Sequence, residues 1–297
     1  MNQRFLALIA ATIASAIYGV NHTIAKDLMP LHIKPFGFIL LRVSGAALLF
    51  WIISVFYKSE KIERKDYWRF LGCAFFGMCI NMLAFFKGLS LSTPINSSVI
   101  VTMTPVILLV LSVIFLKEKV TWIKVTGIGL GFLGAVVLIL FGAQHQDNAP
   151  NIPFGNLLLL VNASAYGTYL ILVKPLVSKY NTITMMKWFF LIAVIINLPF
   201  TVSEFIEVKW TTLPFTVIWK MAFVVVGTTF FTYLLNLYAL KTLKTSTLGA
   251  FIYLQPVLAT LFAVFVGADK LTAIRIFAAF FIFAGVYLST KTSKVKV

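Results

Sequence analysis

Residues 105–134 read PVILLVLSVIFLKEKVTWIKVTGIGLGFLG, and residues 256–285 read PVLATLFAVFVGADKLTAIRIFAAFFIFAG. Displaced by 151 positions, the two superpose without a gap. Pro105-Val106 meets Pro256-Val257, Glu118-Lys119 meets Asp269-Lys270, Thr121 meets Thr272, Lys124 meets Arg275 and Gly134 meets Gly285. The match extends over 87–137 and 238–288, and a displacement of 148 lays Tyr18-Gly19 on Tyr166-Gly167 and Lys26 on Lys174. Each identity alone is weak, because apolar helices resemble one another by composition. Held in register together, they mark an internal repeat.

The repeated material is lipid-soluble. The 297 residues are 60% hydrophobic and 11% charged, with 29 Phe, where ordinary soluble domains are roughly 45–50% apolar. A net charge of +16 in a soluble protein would suggest nucleic acid. Here the basic residues sit in short connections between apolar runs, so no nucleic-acid partner is expected and the partner is the lipid bilayer. Cys73 and Cys79 fall on different faces of one run, and three scattered His give no metal-ligand spacing. No cofactor is called for.

A helix crosses the hydrocarbon in about 20 residues. Apolar runs between charged or turn-rich breaks predict ten spans, near 5–26, 36–57, 68–88, 94–116, 123–142, 154–174, 185–203, 214–239, 246–267 and 272–290. The fold class is therefore all-α, an integral membrane protein of two five-helix repeats, over 1–145 and 150–297. Five is odd, so the second repeat enters the membrane from the opposite side. Inverted repeats are the architecture through which many carriers alternate access around a midplane site. Seventeen Lys and Arg fall on the amino-terminal side of these spans against seven on the other, which predicts cytoplasmic termini. Arg4, an apolar run and Ala14-Ser15-Ala16 imitate a signal-peptide cleavage site, but cleavage would remove the first helix of the repeat. The glycosylation sequons at Asn21 and Asn96 lie inside spans and are read as chance matches.

Tyr18-Gly19-Val20-Asn21, Arg42 in the second span, Pro105 in the fourth, Glu118-Lys119-Val120-Thr121 after it and Gly134, echoed by Pro256, Asp269-Lys270-Leu271-Thr272 and Gly285, resemble the drug/metabolite transporter superfamily, EamA-like branch. The resemblance covers nearly the whole chain. It implies a ten-helix inner-membrane carrier for small metabolites, often an exporter of amino acids or related compounds.

Polar residues at helical spacing mark the candidate cavity. In the first span Ser15, Tyr18, His22 and Lys26 share a stripe bordered by Asn21. The sixth offers Asn162, Tyr166 and Tyr169, and the eighth offers Thr229, Thr232 and Asn236 with Tyr233 beside them. The fourth brings Ser98 and Thr102, the ninth Tyr253 and Gln255, and the third Asn81 alone. The bland reading of each hydroxyl is helix-to-helix glue, worth about 0.6 kcal/mol. It suits Asn21 and His22, adjacent at mid-helix, less well. Arg42 lies about 10 Å into its span and has two readings, a snorkelling anchor or a bidentate partner for a substrate carboxylate. Lys26 reads as an interface anchor.

Pro105 and Pro256 sit near the middles of the fourth and ninth spans, where each removes a backbone donor and frees a carbonyl one turn earlier. Paired interruptions read as hinges or as a binding site. Thr104 and Gln255, just before them, are placed to satisfy the freed groups. All nine acidic residues lie in loops or at helix ends. That removes the buried carboxylates of many proton-coupled carriers and of an intramembrane aspartyl protease, so no enzyme is expected. Transport is expected to be facilitated or by exchange, with coupling through His22 as the rival. The expected substrate is a small polar organic metabolite, amino-acid-like and exported; uptake or exchange of another class such as nucleosides or sugars, and a non-transporting receptor or structural role, are the alternatives, and no oligomer is required.

Overall fold

The computed structural model describes residues 3–29, 31–58, 60–92, 100–142, 151–265 and 273–290. Among the described residues are ten helical segments and no strand. In chain order they are α1 (Gln3–Leu28), α2 (Pro35–Ser54), α3 (Tyr67–Ala74, π-helical Phe75–Ile80, Asn81–Leu91), α4 (Thr104–Leu116) and α5 (Trp122–Gly142). There follow α6 (Ile152–Val177), α7 (Thr182–Ile206), α8 (Phe215–Phe223, π-helical Val224–Phe231, Thr232–Thr242), α9 (Thr245–Ala250, a 3-10 turn Phe251–Tyr253, Leu254–Phe265) and α10 (Ala273–Thr290). Arg4 donates to the carbonyl of Thr290, so both ends share one face, as an even number of crossings requires.

Six of these helices, α1, α2, α3, α6, α7 and α8, are long and apolar enough to cross a membrane, and α4, α5 and α10 add shorter apolar stretches. Their outer faces are greasy. Phe280 and Ile195 are 67% and 64% exposed, with Leu48, Phe115 and Phe277 comparable. A monomeric soluble protein rarely shows such continuous apolar surface. Here lipid is the solvent.

The fold is two inverted five-helix repeats, and the helix pairing carries the symmetry. α5 packs on α10 and α2 on α7, each against its own counterpart, while α1 meets α8 and α9 just as α6 meets α3 and α4. The α5–α10 crossing shows it atom by atom. A Cβ on Gly285 would meet the Gly127 carbonyl at 2.6 Å, and one on Gly134 would meet the Ala278 carbonyl at 2.9 Å. The displacement of 151 converts each of these contacts into the other. Small residues are what allow membrane helices to approach this closely.

Two departures from the sequence-based expectation matter for the site. The third and eighth spans are not continuous α-helices, because each contains a π-helical stretch. Phe75–Ile80 maps onto residues 226–231, inside Val224–Phe231, by the same displacement. Nor do the prolines kink long helices. Pro105 is the second residue of α4, after a turn at 102–103. Pro256 follows the 3-10 turn inside α9. Proline is tolerated in a first helical turn because its missing N–H has no intrahelical acceptor there. As expected, Thr104 Oγ1 donates to Val101 O at 2.7 Å, the carbonyl one turn before Pro105.

Candidate functional site

The polar residues of α1 and α8 converge at the middle of the bundle. Thr232 Oγ1 lies 3.1 Å from the Tyr18 hydroxyl and 2.5 Å from Thr228 O. A threonine hydroxyl has a single proton. Given to Thr228 O, it leaves Tyr18 as donor to Thr232. One turn away, Thr228 Oγ1 donates to Asn21 Oδ1 at 2.9 Å. Arg42 Nε donates to Thr229 Oγ1 at 3.0 Å, and Thr229 passes its own proton to Val224 O at 2.9 Å. The two bonding threonines of the π-helical stretch, Thr228 and Thr229, thus reach α1 and α2 respectively. π-helical turns inside α-helices recur at functional sites, and here the widened turn presents adjacent hydroxyls to two different helices.

Tyr18 also forms the wall of a small cavity with Ser15, Tyr166, Asn236, Phe251 and Gln255. Its space open to water centres is about 20 Å³, close to what one water occupies. Four of the sequence-predicted residues, Tyr18, Tyr166, Asn236 and Gln255, therefore share one small polar chamber between the repeats. Ser15 Oγ donates to Phe251 O at 2.9 Å, joining α1 to the 3-10 turn of α9.

Other predicted residues lie elsewhere. Asn81 and Asn162 exchange hydrogen bonds between α3 and α6, Asn162 Nδ2 to Asn81 O at 2.9 Å and Asn81 Nδ2 to Asn162 O at 3.4 Å. Tyr169 packs against Gly77, where a Cβ would come within 2.6 Å of its ring. Tyr233 donates to Gly77 O at 3.2 Å. Tyr253 faces α5 rather than the cavity, its ring filling the space above Gly131. Thr102 is buried in the turn before α4. Ser98 and the side chains of His22 and Lys26 lie outside the described residues.

Sequence reading missed the joints that hold the repeats together. Glu118 accepts from Thr245 N at 2.8 Å and from the Ser246 hydroxyl, so it caps the start of α9. Its other neighbour is buried Lys124, at 3.6 Å. Lys174 donates to the carbonyls of Leu240 and Leu243 at 2.5 and 2.7 Å, capping the end of α8. On the same face Lys179 bridges Glu63 at 2.7 Å and Asp66 at 2.5 Å. Lys179, and after it Lys65, hold the Glu63 carboxyl below the usual carboxylate range. On the opposite face Glu204 accepts from the amides of Phe36 and Gly37 at 2.7 and 3.1 Å, the anion expected at a helix N-terminus. Beside it Lys34 pairs with Glu207 at 2.5 Å, which raises the lysine above its ordinary value. The signal for the Glu118 joint was the repeated Glu/Asp-Lys motif, which carried no partner.

A lipid-facing bundle of two inverted repeats, with polar groups from both halves meeting at the centre, defines a multi-pass membrane protein of the carrier class. The chain belongs to the EamA-like transporter family, whose model matches residues 5–140 and again 153–291. An uncharacterized transporter of Archaeoglobus fulgidus is 28% identical over 256 residues, 86% of this chain and 88% of that one. A second from the same organism is 23% identical across 89% of both chains. The uncharacterized transporter YetK of Bacillus subtilis is 25% identical over 67% of this chain and 60% of its own length. A crystal structure with 17% identity superposes with a TM-score of 0.78 over 96% of both chains, a likeness of fold.

Proposed function

We propose that the chain is a secondary transporter of the inner membrane that moves a small polar organic solute, amino-acid-like and outward, by alternating access. The observation that carries this reading is the set of cross-repeat bonds at the centre, Tyr18 to Thr232 and Asn21 to Thr228. A group held between two inverted halves is exposed to one side or the other as the halves rock. Residues 1–145 and 150–297 form those halves, and the termini are cytoplasmic, a topology supported by the excess of Lys and Arg on their side. The carrier works as a monomer in the bilayer and takes no nucleic acid. Pro105 and Pro256, each just after a break in helical bonding, are its hinges. Movement is facilitated or by exchange, with the solute's own gradient as its drive.

The test is counterflow of labelled amino acids into proteoliposomes of the purified chain. Accumulation above protein-free vesicles is expected, and it falls in Asn236→Ala and Gln255→Ala variants whose thermal midpoints match the parent. Failure of every amino acid to accumulate would overturn the amino-acid-like assignment.

A further inference from the structure

Arg42 is a charge without a counter-charge. The side chain lies about 10 Å along α2 from its start and is 8% exposed. Its Nε–H goes to Thr229, and its guanidinium carbon sits 5.7 Å from the Phe86 ring centroid. Among the described residues no carboxylate lies within ion-pair distance of it. Its Nη1 and Nη2 have no hydrogen-bond acceptor there either. The charge is also held close to the cavity. Thr229 and Thr232 are one turn apart on α8, and Thr232 bonds Tyr18, which lines the chamber.

Removing one partner of a buried pair is strongly destabilising because it leaves an uncompensated charge. This protein holds a guanidinium in that state, inside a membrane helix, with a hydroxyl and an aromatic face as its surroundings. The groups left free are the two Nη groups, whose parallel N–H bonds match the two oxygens of a carboxylate. We infer that Arg42 supplies the anchoring charge for a carboxylate on the transported solute. The inference rests on the transporter reading above and narrows it. Among the described residues the chamber offers no acid to pair with an ammonium group, so the charge that Arg42 answers is the carboxylate's. Simple monocarboxylates should bind as well as the corresponding amino acids.

The experiment follows the thermal midpoint of the purified full chain at fixed pH and chloride, with probes in matched pairs. These are free amino acids against their C-terminal amides, and straight-chain or aromatic monocarboxylates against their primary amides. At least one carboxylate should raise the midpoint while its amide does not. Arg42→Gln should weaken that response by about tenfold or more, the loss of a hydrogen-bonded charge. If Arg42→Gln does not insert, Arg42→Lys keeps the charge without the parallel N–H pair and should show a weakened response. Amides that stabilise as well as acids, variants that respond like the parent, or no response to any carboxylate would each overturn the inference. Counterflow separates it from the transporter reading. Neutral solutes carried equally by parent and Arg42→Gln would refute the anchor and leave the carrier standing, whereas carboxylates that bind and never cross would do the reverse.

Discussion

Gly285→Ala and Gly129→Ala are the same substitution in two helices that pack together, and they should have opposite effects. A Cβ at 285 would lie 2.4 Å from Gly131 N, 2.6 Å from Gly127 O and 2.8 Å from Gly131 Cα. Every one of those atoms is backbone, so no side chain can rotate away. Ordinary contact needs about 3.5–4.0 Å, and α5 and α10 must separate by roughly 1 Å to recover it. Overpacking of this kind costs about 1–3 kcal/mol. Against it stands the helix-propensity gain of alanine over glycine, about 1 kcal/mol. Because every atom in the way is backbone of α5, the strain term should win, by up to about 2 kcal/mol. At Gly129 a Cβ meets nothing within 4 Å, so only the propensity gain remains. The assay is the thermal midpoint in detergent at one scan rate, where each kcal/mol moves the midpoint by about 2–4 °C in chains of 150–250 residues. Gly285→Ala should fall and Gly129→Ala should hold or rise. Equal midpoints for the two variants would refute the close approach of α5 and α10.

Glu118→Gln should cost about 3 kcal/mol, since it leaves the buried Lys124 ammonium without its carboxylate. Adding Lys124→Met should return much of the loss in thermal midpoint, and a double variant no better than the single would exclude the pairing. Pro105→Ala and Pro256→Ala should preserve the midpoint and slow counterflow, because each removes the fixed proline φ that sets the break the hinge uses; unchanged rates in both would dismiss the hinges. The folded pKa of Glu63 is depressed, so its contribution to stability is fully present above the unfolded carboxylate value, about 4.3, and is lost as pH falls through the lower folded value. That of Lys34 is raised, so its contribution is present below about 10.4 and is lost as pH climbs through the higher folded value. These two joints should therefore leave the midpoint flat between pH 6 and 8, and substituting Glu63 or Lys34 should not alter its slope there.

Much of the fold was legible because hydropathy and repetition are properties of the chain itself. The spacing of Pro105, Glu118 and Gly134 against Pro256, Asp269 and Gly285 is a one-dimensional signal, and the two-repeat organisation follows from it. Partners are not one-dimensional. Nothing near Glu118 names Thr245 and Ser246, and nothing beside Asn81 names Asn162, because those contacts depend on how α3, α6 and α9 rotate about their axes. The π-helical stretches were invisible for a related reason. Val224-Val225-Val226-Gly227 and Phe75-Phe76-Gly77 read as ordinary apolar helix, and the carbonyls of the first stretch meet side chains far along the chain, Tyr233 on Gly77 O at 3.2 Å and Asn197 on Met78 O at 3.3 Å. Tyr253 was misleading because a tyrosine in an apolar helix looks equally polar whichever way it faces. Gly131 decided the direction by leaving room for its ring.

The symmetry that organises the scaffold stops at the site. Gly134 and Gly285 are equivalent, as are the two π-helical stretches and the helix pairs around them. The stretch of α7 that corresponds to Arg42 is apolar, Phe189-Phe190, and Phe190 stacks edge-on against Tyr233 at 5.2 Å. Asn21 answers to Tyr169, and Thr228 to Gly77. Rocking requires two halves that can exchange roles, and equivalent interfaces supply that. Recognition of a small solute requires a binding group at one place, and a second arginine across the axis would hold two positive charges together in a low-dielectric centre. This repeat protein therefore keeps its packing residues in pairs and its central charge, Arg42, single. On that ground Arg42, rather than any of the paired tyrosines, is the residue whose loss should change which solute is taken.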